Sequence, residues 1–337
     1  MYTELDRANC STPSFDDLAG RVLAGGAVER HEAVAILATS DDELVTLLHA
    51  AFRVRERYHG RRVKLCQLRN ARSGLCPEDC HYCSQSAISD AAIPRYRLDS
   101  VPELLAGARR AVAAGARRYC MVTSGRGPSE NDIARFTTVA RAIKAEYPQL
   151  ELCVSLGLME EQAARELKES GIGWVNHNLN TSERFHPDIC STHTYQDRIN
   201  TVRSVQRAGL HTCCGGIIGM GETDDDIIDL AFTLRELHVD SLPLNFLIPI
   251  AGTPFSGKRE LTPGRCLRAL CLMRFINPES EIRMAGGREG NLGWFQALAL
   301  YPANSIFVDG YLTTPGQAAS DAYQMIADMG FEIESME

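Results

Sequence analysis

Short β-rich runs alternate with amphipathic helical stretches from Val63 onward, and this alternation restricts the possible folds more than any other feature of the chain. Strands are expected over 63–68, 117–123, 150–156, 173–180, 210–218, 240–248, 280–285 and 305–309. Helices are expected over 101–115, 130–147, 159–170, 193–209, 223–237, 262–276, 288–300 and 316–329. This pattern predicts an α/β fold, a (β/α)8 TIM-type barrel, with a doubly wound open sheet as the runner-up. Residues 1–60 have a different texture. Val34, Ile36, Leu37, Leu44, Leu47 and Leu48 recur at helical spacing, and Thr39-Ser40-Asp41-Asp42 offers a cap between two helices. The expected organisation is an N-terminal helical extension over 1–60 and one barrel domain over 61–337.

A chain of 337 residues can bury a large core, and 45% hydrophobic with 23% charged residues is ordinary for a soluble enzyme. The net charge of −8 argues against nucleic acid and anionic membranes as partners. No apolar run is long enough to span a bilayer, and the acidic Met1-Tyr-Thr-Glu-Leu-Asp start shows no signal peptide. The expected location is therefore cytoplasmic. In a reducing compartment, twelve cysteines point to metal or redox chemistry rather than disulfides.

The one long irregular gap follows the first strand and carries Cys76-Pro-Glu-Asp-Cys80-His-Tyr-Cys83. Three thiolates in C-x3-C-x2-C spacing can each take one iron of a cubane cluster and leave the fourth iron open to a small molecule. Four-cysteine spacings close a cluster instead. The bland readings are a zinc site completed by His81 or a distant ligand, and a chance group of buried thiols. A second set is spread over different expected strands: Cys66, Cys120, Cys153 and Cys213, with Arg283 from a further strand. Alternation could point each of them into a barrel, alongside Leu68, Val122, Ser155 and Gly215. Taken singly, each could equally be a packed small hydrophobe. Cys10, Cys190, Cys266 and Cys271 fall in helical or loop stretches and read as bystanders, and Cys214 should face the other side of its strand. Gly215-Gly-Ile-Ile-Gly219-Met-Gly221-Glu222 has the wrong spacing for a dinucleotide fingerprint. It reads as backbone that approaches a ligand, or as a plain tight turn.

The loop resembles the radical S-adenosylmethionine (SAM) signature, and its context from Ser73 to Ser86 resembles the biotin synthase family. The resemblance continues through Tyr119-Cys120-Met121, Glu151-Leu152-Cys153, Asn176 to Ser182, Thr194 to Arg198, Cys213 to Thr223, Gly252-Thr253-Pro254, Arg283 to Glu289 and Gly310 to Gly316. It implies a SAM-cleaving [4Fe-4S] cluster on Cys76, Cys80 and Cys83, and an auxiliary, sulfur-donating iron–sulfur cluster on Cys120, Cys153, Cys213 and Arg283. It further implies SAM contacts from Tyr82, Asn180, Arg198 and Gly219, and contacts to the ureido ring of dethiobiotin from Asn178 and Asn245. The implied reaction inserts sulfur into dethiobiotin by radical hydrogen abstraction at the expense of two SAM molecules. The implied partners are a flavodoxin- or ferredoxin-type electron donor, iron–sulfur assembly machinery and a second copy in a homodimer. The bland reading of Arg198 is a solvated charge on a helix, and of the asparagines local backbone capping.

The chain departs from the family at three places. Asn180 stands where the family usually has Asp, Met121 to Gly127 differs from the commonest sequence, and Cys66 stands where many members have a hydroxyl residue. Cys66 could thus be a fourth thiolate of the auxiliary cluster, making it a four-iron cluster, with Arg283 donating to its sulfurs; otherwise Cys66 packs beside a [2Fe-2S] cluster. The competing functions are another radical SAM barrel enzyme, such as a hydrogenase-cofactor maturase or a carbon-skeleton rearranging enzyme, and a non-enzymatic iron–sulfur carrier.

Overall fold

The computed structural model describes residues 14–335. Helices α1 (Phe15–Leu23), α2 (Arg30–Leu37) and α3 (Leu44–His59) come first, separated by turns near the expected Thr39–Asp42 break. The strands are β1 (Arg62–Arg72), β2 (Arg118–Thr123), β3 (Glu151–Ser155), β4 (Trp174–Asn176), β5 (His211–Cys213), β6 (Gly216–Ile218), β7 (Ser241–Phe246), β8 (Glu281–Met284), β9 (Ser305–Val308) and β10 (Glu332–Ile333). Between them lie α4 (Val101–Ala113), α5 (Glu130–Glu146), α6 (Glu161–Glu169), α7 (Tyr195–Arg207), α8 (Asp224–Glu236), α9 (Pro263–Ile276), α10 (Arg288–Leu292), α11 (Gln296–Ala299) and α12 (Ala319–Asp328).

All pairings in the main sheet are parallel, and β1 pairs with β2 on one side and β9 on the other (Cys66 opposite Arg118 and opposite Phe307). The sheet therefore closes into an eight-stranded barrel, with β6 and β10 as added short strands, and the open-sheet alternative does not hold. Each crossover helix buries one stripe, as in α5, where Ile133, Phe136, Val139, Ala140 and Ile143 face the strands. Ser129, Thr194 and Thr223 cap α5, α7 and α8 in capping boxes with Asp132, Asp197 and Asp226, which fixes where each helix starts above the barrel rim. The N-terminal helices cover α9, since α2 packs on α8 and α9, and α3 on α9. That is why α9 is apolar nearly all round, with Cys266 and Cys271 inside it.

Three expected elements differ. The strand over 210–218 is broken into β5 and β6 at Cys214 and Gly215. A Cβ on Gly215 would stand 1.9 Å from the Pro243 carbonyl oxygen, so the chain passes too close to β7 for any other residue. Pro243 also lacks a ladder donor, which favours a break there. The strand over 173–180 keeps only Trp174–Asn176, and the remainder peels away to line the barrel mouth. The helix over 288–300 splits because Gly293, at φ 52°, ends α10. Cys10 lies outside the described residues.

His59, at the end of α3, is packed near Arg274 and Arg55, with its Nε2 buried and unpartnered. Burial first, then these cations, push its pKa down to about 3. The folded protein therefore refuses a proton that the unfolded chain accepts near pH 6.5. Stability is complete above that pH and falls as pH drops towards 3, by up to about 1.4 kcal/mol per pH unit for this group. Denaturant midpoints measured between pH 7.5 and 5 should fall, and more steeply in wild type than in His59→Gln. Equal slopes in the two proteins would remove His59 as a source of the acid sensitivity.

Candidate active site

The C-terminal mouth of the barrel opens into a cavity of ≈ 390 Å³. Cys76, Cys80 and Cys83 line it from the loop after β1, and Cys120, Cys153, Cys213 and Arg283 line it from strands β2, β3, β5 and β8. Tyr82, Asn178, Asn180, Arg198 and Asn245 complete its walls. Active sites of this fold sit at this end, where the chain leaves the strands.

The cysteine loop is held by its own turns and by a clamp from the segment before α7. Cys83 N–H donates to the Cys80 carbonyl at 3.1 Å, and Ser86 N–H to the Cys83 carbonyl at 3.2 Å. His81 N–H donates to the Ile189 carbonyl at 3.0 Å, while Asp79 accepts from the backbone N–H groups of Ser191 and Thr192 at 3.0 and 3.2 Å. Glu78 accepts from Arg126 Nη1 at 3.1 Å and Thr192 Oγ1 at 2.7 Å, and is bonded to His193. Burial works to raise the Glu78 pKa, but these partners overcome it and hold the carboxyl ionised. Sequence reasoning gave no role to Glu78, Asp79, Arg126 or His193. The only available signal was the pair of acidic residues between the first two loop cysteines. The His81 ring packs edge-on to Phe255 at 5.5 Å, which weighs against its completing a zinc site.

Burial raises the Cys76 thiol pKa and pushes that of Cys83 up to about 11. As isolated thiols these groups would stay protonated at neutral pH, so binding of a cation has to draw the protons off. Deeper in the barrel, Cys120 and Cys153 stand opposite each other in register. Their mutual hydrogen bond lowers Cys120 and raises Cys153, and Arg283 and Arg118 favour the Cys120 thiolate. Arg283 is buried and donates to Cys213 Sγ at 3.4 Å, Ser305 Oγ at 3.1 Å and Ser241 Oγ at 3.2 Å, with Glu281 as its counter-charge. Beneath this layer Arg118 bridges Glu281 at 3.0 Å and Glu151 at 2.7 Å, and its guanidinium lies 3.6 Å from the centre of the Trp174 ring. Cys66 is fully buried beside these groups, 3.6 Å from Ser305 Oγ, and its thiol is pushed up to about 12, chiefly by burial. It lies below the cavity wall, whereas Leu68, two residues on, reaches the cavity.

Arg198 is not a solvated helix charge. It is buried in the first turn of α7 and reaches the cavity. Its Nη1 donates to the Asn178 carbonyl at 2.7 Å, its Nε is buried without a partner, and no carboxylate among the described residues pairs with it. Asn180 holds the unusual φ of 72°, which Asn tolerates better than most residues. With its amide oriented to satisfy both ends, its Oδ1 accepts from Tyr82 Oη and from the two Arg198 terminal nitrogens at 3.2 and 3.3 Å. Asn178 Oδ1 accepts from Gly215 N at 3.1 Å and Asn176 Nδ2 at 3.0 Å. Asn245 ties Gly216 O at 3.1 Å and Gly286 N at 3.0 Å, leaving one lone pair and one N–H for a ligand. Gly219 does not line the cavity; its N–H donates to Glu222 at 2.7 Å, and a Cβ there would meet Leu261 at 2.6 Å.

Cys214, just past the end of β5, is packed in the hydrophobic core, as expected. Cys190 is no remote bystander, because its sulfur lies 3.7 Å from that of Cys80.

A closed (β/α)8 barrel with three loop cysteines at its mouth defines a radical SAM enzyme. Residues 72–234 match the Radical SAM superfamily, and residues 243–332 match the Biotin and Thiamin Synthesis associated domain. The chain belongs to the biotin synthase family. It is 50% identical over 321 residues to the biotin synthase of Bacillus subtilis (strain 168), covering 95% of this chain and 96% of that one. It is also 50% identical over 317 residues to the biotin synthase of Lysinibacillus sphaericus, covering 94% and 95%. Among solved structures, a methylornithine synthase superposes with a TM-score of 0.83 at 20% identity, covering 95% of this chain and 98% of that one. The FeFe-hydrogenase maturase of Carboxydothermus hydrogenoformans superposes with 0.80 at 17% identity, covering 95% and 79%. At such identities these superpositions speak for the barrel alone.

Proposed function

We propose that this chain converts dethiobiotin to biotin by sulfur insertion, with SAM as cosubstrate. The observation that carries the SAM half is Arg198, a buried guanidinium with no carboxylate partner among the described residues and an orphaned Nε, facing the cavity that the loop cysteines line. An unpaired buried cation is costly, and a carboxylate gripped by two parallel hydrogen bonds relieves that cost. When bound, a [4Fe-4S] cluster and SAM supply a 5′-deoxyadenosyl radical, which takes hydrogen from carbons that no side-chain base could deprotonate.

The chain's residues do the rest by placement. Cys76, Cys80 and Cys83 would hold the cluster by their thiolates, in the same cavity that Arg198 lines. Asn180 fixes Tyr82 and Arg198 relative to each other, and its amide makes a neutral contact to the SAM ribose. Gly219, with its N–H spent on Glu222, serves this site only by giving the backbone room. The remaining donors and acceptors of Asn178 and Asn245 receive the cyclic urea, and the barrel walls exclude water. Cys120, Cys153 and Cys213 hold the auxiliary cluster. The wider reading places the enzyme in the cytoplasm as a homodimer, reduced by a flavodoxin- or ferredoxin-type donor and resupplied by iron–sulfur assembly machinery. The domain organisation in this reading is one barrel domain over 61–337 with an N-terminal extension before it. No helix among the described residues is long and apolar enough to cross a membrane.

Asn178→Ala or Asn245→Ala should weaken dethiobiotin binding by about 1–3 kcal/mol per lost partner, with a smaller effect on SAM. Equilibrium binding to the loaded protein checks this, and unchanged dethiobiotin affinity in both variants would refute the ureido assignment. Cys66 is assigned as the fourth thiolate of a four-iron auxiliary cluster, with Arg283 donating to its sulfurs. Two features support it: Cys66 and Arg283 both meet Ser305 Oγ, at 3.6 and 3.1 Å, just below the cavity that Cys120, Cys153 and Cys213 line, and the Arg283 nitrogens act as donors. Iron and sulfide counts with Mössbauer spectra should show four auxiliary irons in wild type and a loss in Cys66→Ser. The same two-iron signal in both proteins would remove Cys66 from the cluster.

A further inference from the structure

Among the described residues, Cys190 is the one cysteine from outside the loop whose sulfur meets that of a loop cysteine. Its Sγ lies 3.7 Å from Cys80 Sγ, 3.2 Å from Asp79 Oδ1 and 3.4 Å from His193 Nδ1. The backbone on both sides of this sulfur pair is tied. His81 N–H donates to the Ile189 carbonyl at 3.0 Å, and Ser191 N–H and Thr192 N–H donate to Asp79 at 3.0 and 3.2 Å. Neither tie involves a thiol, so the two segments stay side by side whether or not the loop holds iron. Cys80 lines the cavity and is 9% exposed, whereas Cys190 does not line it and is 2% exposed. Among the described residues, no cysteine from outside the loop meets Cys76 or Cys83 in this way.

We propose that Cys190 is a resolving cysteine for Cys80, forming a disulfide when the loop has lost its cluster and a peroxide is present. The balance is simple. Peroxide oxidises the Cys80 thiol to a sulfenic acid and leaves as water; the Cys190 sulfur then attacks the Cys80 sulfur, and the hydroxyl leaves with the Cys190 proton as a second water. Two thiols thus lose two protons and two electrons to one hydrogen peroxide. Forming the S–S bond draws the two sulfurs from 3.7 Å to a bond length of about 2.05 Å. A Cys80 sulfur in this bond cannot hold iron. Cluster occupancy and the disulfide therefore exclude each other, and a thiol reductant restores the loop. The device keeps Cys80 from irreversible oxidation while the cluster is absent. It rests on the assignment of Cys80 as an iron ligand.

The test uses the full-length chain, first loaded anaerobically and then stripped with a chelator, treated with hydrogen peroxide, alkylated, digested and analysed by mass spectrometry. In wild type the dominant linked peptide should join Cys80 to Cys190 and vanish on phosphine reduction. In Cys190→Ser the same treatment should carry Cys80 on to sulfinic and sulfonic acid, at least about tenfold more than in wild type. Cys80 joined mainly to Cys76 or Cys83, or equal over-oxidation of Cys80 in both proteins, would overturn the proposal. The loaded, unstripped enzyme separates this from the parent assignment. There Cys80 should resist alkylation, and ready alkylation would instead refute its role as an iron ligand.

Discussion

Cys80→Ala, like Cys76→Ala and Cys83→Ala, should reduce 5′-deoxyadenosine formation to background in protein reconstituted anaerobically with iron, sulfide and SAM. Each loop cysteine lines the same cavity, and removing one leaves an iron without its thiolate, so cluster geometry and potential are lost together. Ser is a poorer control than Ala because its oxygen can substitute weakly for sulfur. The fold should survive, since the loop stays anchored through Asp79, His81 and Glu78. Circular dichroism and the unfolding midpoint of each variant check that point. Reductive SAM cleavage that persists in any of the three variants would contradict the loop assignment.

Arg198→Met should weaken SAM binding by on the order of 2–5 kcal/mol, the range for removing one partner of a buried charge pair. Arg198→Lys keeps the charge but loses the planar fork, so it should recover only part of the affinity. The guanidinium is buried, donates to the Asn178 carbonyl and meets Asn180 Oδ1, so the protein's own groups hold it in place. Titration of SAM into the loaded variants measures the effect. Wild-type affinity in Arg198→Met would mean that another group receives the carboxylate.

Much of this was legible in the chain because it depends on local periodicity. Strand–helix alternation marks the barrel, and the spacing of Cys76, Cys80 and Cys83 marks the loop. Closure follows from β1 pairing with β9, which no local pattern reveals. The split of the fifth strand was hidden because it arises where Gly215 meets Pro243, a contact between distant segments. Gly293 was a visible breaker, yet the helical pattern around it outweighed a single glycine. Arg198 carries the same sequence signal whether it is solvated or buried, and only the packing of α7 against the barrel mouth decides. Cys190 read as a bystander for the same reason. It stands 110 positions from Cys80, and the clasp between Asp79 and Ser191 that joins them has no local signature. The gathering of Cys120, Cys153, Cys213 and Arg283 at one cavity was legible because separate strands each carry one of them, a pattern that gains meaning only once the barrel is assumed.

The most direct test is anaerobic incubation of the fully reconstituted chain with dethiobiotin, SAM and a one-electron reductant, with biotin and 5′-deoxyadenosine measured together by mass spectrometry. The account predicts biotin with about two 5′-deoxyadenosines per molecule, because hydrogen is abstracted at two unactivated carbons. Abundant 5′-deoxyadenosine without biotin, from protein whose auxiliary iron is in place, would contradict it.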